Sequence, residues 1–165
     1  MSRKRCRRRA QAVNPLAYQA ALMGACKMTF QDASRRAIGL CLAVDEARQG
    51  RQSAAHWREI FDAINITNEL VRSRVAQDPA GNIAALEKMA VDIMARFNTS
   101  GSAALRFDEL RSLREFAADY AALLQGVTMG EYFNACAKVE NRTARVLSGE
   151  RMQGARVVQA PGWVG

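Results

Sequence analysis

The sequence predicts an all-α protein, an antiparallel bundle of five to six helices. Apolar residues recur three and four positions apart through most of the chain. No stretch alternates like a strand, and no Asn-Gly or Asp-Gly hairpin turn is present. Turn residues cut the periodic stretches into segments of roughly 20 residues, each able to span about 30 Å as a helix. The loops between them are short, which makes sequence neighbours antiparallel.

Asn14-Pro15 opens the first, short helix over about 16–25, with the proline in the first turn where its missing N–H costs nothing. Thr29 caps the second, Asp32 faces its positive end, and Phe30, Ala33, Ala37, Leu40, Val44 and Ala47 trace its stripe up to Gly50. Ser53 starts the third, whose stripe is Trp57, Ile60, Ile64, Thr67, Val71 and Val75, reinforced by Phe61. Asp78-Pro79-Ala80-Gly81 breaks it. The fourth runs from Asn82 through Ile83, Leu86, Ala90, Ile93 and Phe97 to the Asn98–Gly101 turn. The fifth covers about 104–125 on Leu110, Leu113, Ala117, Tyr120 and Leu124. Thr128 and Glu131 form a capping box for the sixth, which buries Tyr132, Cys136, Val139, Thr143 and Val146 and stops at Gly149. The domain organisation is a disordered basic arm at 1–13, a helical bundle at 14–149 and a flexible tail at 150–165.

An apolar content of 49% in 165 residues builds one core. No apolar run approaches the ~18–20 residues of a membrane span. The basic head before Leu16–Ala25 resembles an export signal only superficially, because Asn14, Pro15, Tyr18 and Gln19 spoil the apolar region. Cys6, Cys26, Cys41 and Cys136 are scattered without a Cys-x-x-Cys pair, and His56 is the single histidine. No zinc signature follows, no metal or other cofactor is expected, and Cys26, Cys41 and Cys136 read as small apolar residues on helix faces in a reducing cytoplasm.

Charge is distributed very unevenly. Arg3, Lys4, Arg5, Arg7, Arg8 and Arg9 contribute +6 of the formal +8, while residues 10–149 hold 16 basic and 15 acidic side chains. Such a cluster grips polyanions and reads little sequence, which points to nucleic-acid backbone. Arg35 and Arg36 are candidate supporting contacts. A helix-turn-helix over 16–36 would present Lys27, Gln31, Ser34, Arg35 and Arg36, but Thr29 caps that helix too late, so an ordinary helical corner is expected.

On the third helix Asn65 and Asn68 form a polar seam, with Glu69 between it and Arg72. Buried asparagine needs a paired amide and can set a partner's identity, so Asn65, Asn68 and Arg72 are the candidate protein-binding residues. Glu109, Glu115 and Asp119 interleave with Arg106, Arg111 and Arg114 as a salt-laced solvated face. His56 reads as structural. There is no P-loop, dinucleotide fingerprint, Gly-x-Ser-x-Gly elbow or Glu-x-x-His motif, and no catalytic function is expected.

Several pieces share an order with a known group. They are Ser2-Arg3-Lys4-Arg5 leading into Asn14-Pro15-Leu16-Ala17-Tyr18, then Ala63-Ile64-Asn65-Ile66, then Phe107–Arg114, and finally Val127-Thr128, Glu131-Tyr132 and Asn141-Arg142. Together they resemble small uncharacterised helical proteins encoded in bacterial prophages. The resemblance implies a bacterial host cytoplasm and a short accessory gene, and transfers no chemistry. The expectation is therefore a non-enzymatic accessory protein that associates with nucleic acid through its arm, the bundle serving as scaffold or homodimer surface. The alternative is a module that binds a host enzyme or defence complex by a helix face.

Overall fold

The computed structural model describes residues 26–148 together with Pro15, Gln19, Leu22 and Gly24. The expected arm at 1–13, the tail at 150–165 and most of the expected first helix lie outside the described residues. Among those described there is no strand, and five α-helices follow in order. They are α1 (Phe30–Arg48), α2 (Ala54–Arg72), α3 (Ile83–Ser100), α4 (Phe107–Gln125) and α5 (Met129–Leu147), with a single 3-10 turn at Pro79–Gly81 before α3.

Local capping chemistry starts three of these helices where the sequence indicates. The Thr29 hydroxyl accepts from the Asp32 N–H at 3.1 Å. At α5 the box is reciprocal: Glu131 N–H donates to Thr128 Oγ1 at 3.2 Å, and Thr128 N–H donates to Glu131 Oε2 at 2.7 Å. At α2 the partner of Ser53 is His56, whose Nδ1 accepts from the Ser53 N–H at 3.1 Å. The histidine thus works as a cap, which requires Nδ1 to be unprotonated.

Two boundaries, the end of α2 and the start of α4, differ from the periodicity, and the start of α3, placed as expected, is capped from farther off. The stripe of α2 runs on to Val75, yet the helix stops at Arg72 because Arg74 adopts a left-handed φ of 57°. Val75 N–H then bonds Leu70 O at 2.9 Å and Arg74 N–H bonds Val71 O at 2.9 Å, which folds Val75 back onto the core outside the helix. Asn82 does not cap α3 with its side chain; the Asp78 carboxylate reaches across the 3-10 turn to accept from Ile83 N–H at 2.9 Å. α4 starts at Phe107 and not at 104. Ala103 is buried in an extended approach, and Glu109 accepts the Arg106 N–H at 2.7 Å to close the first turn.

α2 is the central helix, packed against α1, α3 and α5, while α1 makes its broadest contact with α4. Ile60, Phe61, Ile64 and Leu70 of α2 are almost fully buried, as are Leu40 and Val44 of α1, Ile93 of α3 and Leu113 and Leu124 of α4. Each such side chain contributes about 1.5–3 kcal/mol. Pairing Cys41 with Ala117 and Asp45 with Arg114 sets α1 and α4 antiparallel. A two-bond bridge, Met28 N–H to Val127 O and Met129 N–H to Cys26 O, clamps the lead-in of α1 to the α4–α5 turn. Among the described residues no helix is long and apolar enough to cross a membrane.

Candidate functional site

The six arm cations, Arg3, Lys4, Arg5, Arg7, Arg8 and Arg9, lie outside the described residues. Of the two supporting arginines, Arg35 is exposed on the outer face of α1. Arg36, one helical step of about 100° away, turns inward instead. Its Nη1 donates to the Tyr132 hydroxyl at 2.9 Å, and its guanidinium carbon lies 4.3 Å from the centre of the same ring. Arg36 is thus engaged by α5. Lys27 precedes α1 in the bridge, so the residues a recognition helix would need do not share one exposed face.

The polar seam of α2 separates in the same way. Asn65 is buried, Asn68 half-buried and Arg72 exposed. Glu69 pairs with α5 and not with Arg72: Arg142 Nη2 donates to Oε2 at 2.6 Å and Lys138 Nζ lies 3.0 Å from Oε1, with Ser73 Oγ at 3.2 Å. Burial pushes the Glu69 carboxyl up, but the bonds from Lys138 and Arg142 outweigh it and hold the group below its ordinary value. The seam therefore locks α2 to α5, leaving Asn68 and Arg72 as its outward part.

Glu109 also departs from the solvated face expected for α4. It is buried at 9% exposure and takes a bidentate grip from Arg96 of α3, both nitrogens at 2.8 Å. Arg111 and Glu115 (3.6 Å) do form an exposed pair, and Arg114 reaches Asp45 of α1 at 3.2 Å. Cys26 and Cys41 are exposed, contrary to their reading as packed helix-face residues, because Cys26 precedes α1 and Cys41 sits at the edge of the α1–α4 seam.

The principal concentration of chemistry is a cleft of about 260 Å³ where α1, α2, α4 and α5 meet. α1 supplies Arg36, α2 Glu59 and Asp62, α4 Tyr120, and α5 Tyr132, Cys136 and Glu140. Glu59 reaches this place because Gly39 leaves room on α1; a Cβ there would stand 3.1 Å from its carboxylate oxygen. Burial, reinforced by Glu59, raises the Asp62 carboxyl to about 6; Arg58 opposes this and Glu140 adds to it. Burial also raises the Cys136 thiol to about 11 despite the Tyr132 hydroxyl beside it, so the sulfur stays neutral near pH 7. The phenols of Tyr120 and Tyr132 are pushed up for the same reason. Such a site can hold and orient a charged group, and its thiol is not activated as a nucleophile.

No protein-family model, curated protein or solved structure matches this chain. The site must therefore be read from its own residues.

Sequence reasoning passed over Glu59, Asp62 and Glu140. The only local signal is that Asp62 stands between Phe61 and Ala63, both buried on α2, whereas Glu59 and Glu140 are exposed. Nothing local shows that faces of four helices converge there.

Proposed function

We propose that the chain is a nucleic-acid-associated accessory protein that grips phosphate backbone with Arg3, Lys4, Arg5, Arg7, Arg8 and Arg9 while the bundle anchors that arm. One observation supports this reading above all. The arm concentrates six cations within seven residues, whereas the 16 basic and 15 acidic side chains of residues 10–149 nearly cancel. Polyanion affinity then belongs to the arm, with exposed Arg35 as an added contact and Arg36 excluded by its bond to Tyr132. The setting that accompanies this proposal is a bacterial cytoplasm and a prophage gene.

A salt titration of duplex binding tests it. Full engagement of six phosphates gives a log-affinity against log-salt slope of about −5. Replacing all six arm cations by glutamine in the full chain should flatten that slope to about −1 or less. An unchanged slope would remove the proposal.

A second reading, a protein-binding module, has its own support. Phe30, Ile38 and Leu42 on the outer face of α1 are 73%, 58% and 61% exposed, an apolar ridge that water disfavours. Under this reading a protein partner survives nuclease treatment and is lost in Ile38→Glu. A partner that disappears with the nucleic acid favours the first reading.

A further inference from the structure

The outer face of α1 carries a pattern that the bundle's own core does not use. Gln31, Arg35, Ile38, Leu42, Asp45 and Gln49 follow one another at alternating steps of four and three residues, the spacing of a coiled-coil seam. At about 100° per residue this line runs opposite the buried stripe through Ala33, Leu40 and Ala47. Ile38 and Leu42, at its middle, are large apolar side chains left in water. Arg35 is exposed and makes no ion pair or hydrogen bond among the described residues. Asp45 is half-buried; Arg48 at 3.6 Å and Arg114 at 3.2 Å both reach its Oδ1, which leaves Oδ2 for a further donor.

Run backwards, the line matches itself. Arg35 falls on Asp45, Ile38 on Leu42 and Gln31 on Gln49. We propose that α1 pairs antiparallel with α1 of a second copy of this chain, about a two-fold axis level with Leu40. Two Arg35–Asp45 ion pairs then flank two Ile38–Leu42 contacts, the self-complementarity that a two-fold interface requires. An unlike partner requires no such inversion symmetry of this face. Parallel pairing is disfavoured, because it sets Arg35 on Arg35 and Asp45 on Asp45. At the edges of the antiparallel seam Ser34 approaches Arg48 and Asp32 approaches Glu46, whose carboxylates are already engaged by Thr29 and Arg51. The pairing rests on the α1 ridge of the protein-binding reading and names its occupant. It does not require the nucleic-acid reading.

One helix face on its copy makes a small interface, so the dimer is weak, with a Kd of about 10–100 µM. The ion pairs lie at the rim of an exposed seam, so raising the salt loosens it.

The test is sedimentation equilibrium of the purified, nuclease-treated full chain from about 5 to 500 µM. A monomer–dimer equilibrium is expected. Arg35→Glu sets carboxylate against carboxylate twice in a homodimer, and Asp45→Lys sets cation against cation twice. Each variant alone should therefore dimerise at least about tenfold more weakly. Mixed in equal amounts the two restore both ion pairs in a hybrid dimer, which should form within about threefold of the unaltered affinity. That recovery also shows that both variants are folded. Lys88→Glu changes the same charge on an exposed position of α3, which packs on α2, and should leave the dimer unaltered. A chain that stays monomeric up to about 500 µM overturns the pairing and gives the ridge to the stretch before Cys26 or to an unlike protein. The nuclease-treated pull-down with Ile38→Glu reads that last case separately. A dimer indifferent to Arg35→Glu and Asp45→Lys, or a mixture no tighter than either variant alone, also overturns it.

Discussion

Replacing Glu69 by glutamine should cost about 2 kcal/mol, most of it through Arg142. The substitution keeps the volume of a side chain buried to 6% exposure and removes only its charge. Arg142 is 17% exposed at its side chain and donates to Glu69 at 2.6 Å, so it is left facing a neutral amide with little water to compensate. Breaking such a pair by deleting one partner typically costs about 3–5 kcal/mol, and the amide oxygen retains part of that by still accepting one bond. Lys138 is 55% exposed at its side chain and can turn to solvent, so its share is at most about 0.5 kcal/mol. For a folded core of roughly 120 residues the unfolding entropy is about 0.25 kcal/mol/K, which places the loss in Tm near 8 °C. Thermal and urea unfolding followed by circular dichroism would measure it. A double-mutant cycle with Arg142→Met should return a coupling of about 1 kcal/mol or more, and the cycle with Lys138→Met about 0.5 or less. A Tm change under about 2 °C, or equal coupling to both cations, would refute the idea that this buried pair fastens α2 to α5.

Two further substitutions probe other parts of the structure. Arg74→Gly relieves a left-handed residue that ends α2 and should stabilise the protein by about 0.5–1 kcal/mol, seen as a higher urea midpoint with unchanged m-value. Asp62→Asn should stabilise at pH 7.5 but not at pH 4, read from urea midpoints at the two pH values. The native carboxyl titrates at about 6 against an ordinary 3.8, so the folded state binds the extra proton between those values. Stability from this group is full below the ordinary value and is lost as pH rises through 6. The difference is at most about 3 kcal/mol, reduced to about 1–2 kcal/mol because the half-buried group is screened by solvent. Glu69 and Glu109 act in the opposite sense. Both are held below the ordinary carboxyl value, so their contribution is present above it and fades as acid protonates them.

Much of the architecture was legible in the sequence because helices are local objects. The stripe through Trp57, Ile60 and Ile64, the Thr128–Glu131 box and the stop at Gly101 depend on residues within one or two turns of each other, although Asn98, Thr99 and Ser100, expected in the closing turn, still belong to the helix. Where a boundary depended on a distant or backbone-specific event, periodicity misplaced it. Val75 keeps its core contact after the helix has ended, so the stripe outlasts the helix. The approach to α4 is held extended by Arg96, which donates to Ala104 O at 2.9 Å while gripping Glu109, and no local pattern announces that.

The chain's covalent order by itself determined the five helical stripes, the Thr29, Ser53 and Thr128 caps and the separation of a cluster of cations from an almost neutral remainder, since these follow from neighbours in sequence. Tertiary structure alone decided what each polar side chain meets. Helical rotation turned Arg36 toward Tyr132 and Arg35 toward solvent, and packing brought Glu69 to Arg142 and Glu109 to Arg96. It also gathered Asp62, Tyr120 and Glu140 around one cleft. The physical reason is that electrostatic partnership depends on distance through space and on burial, and neither is a property of any single segment.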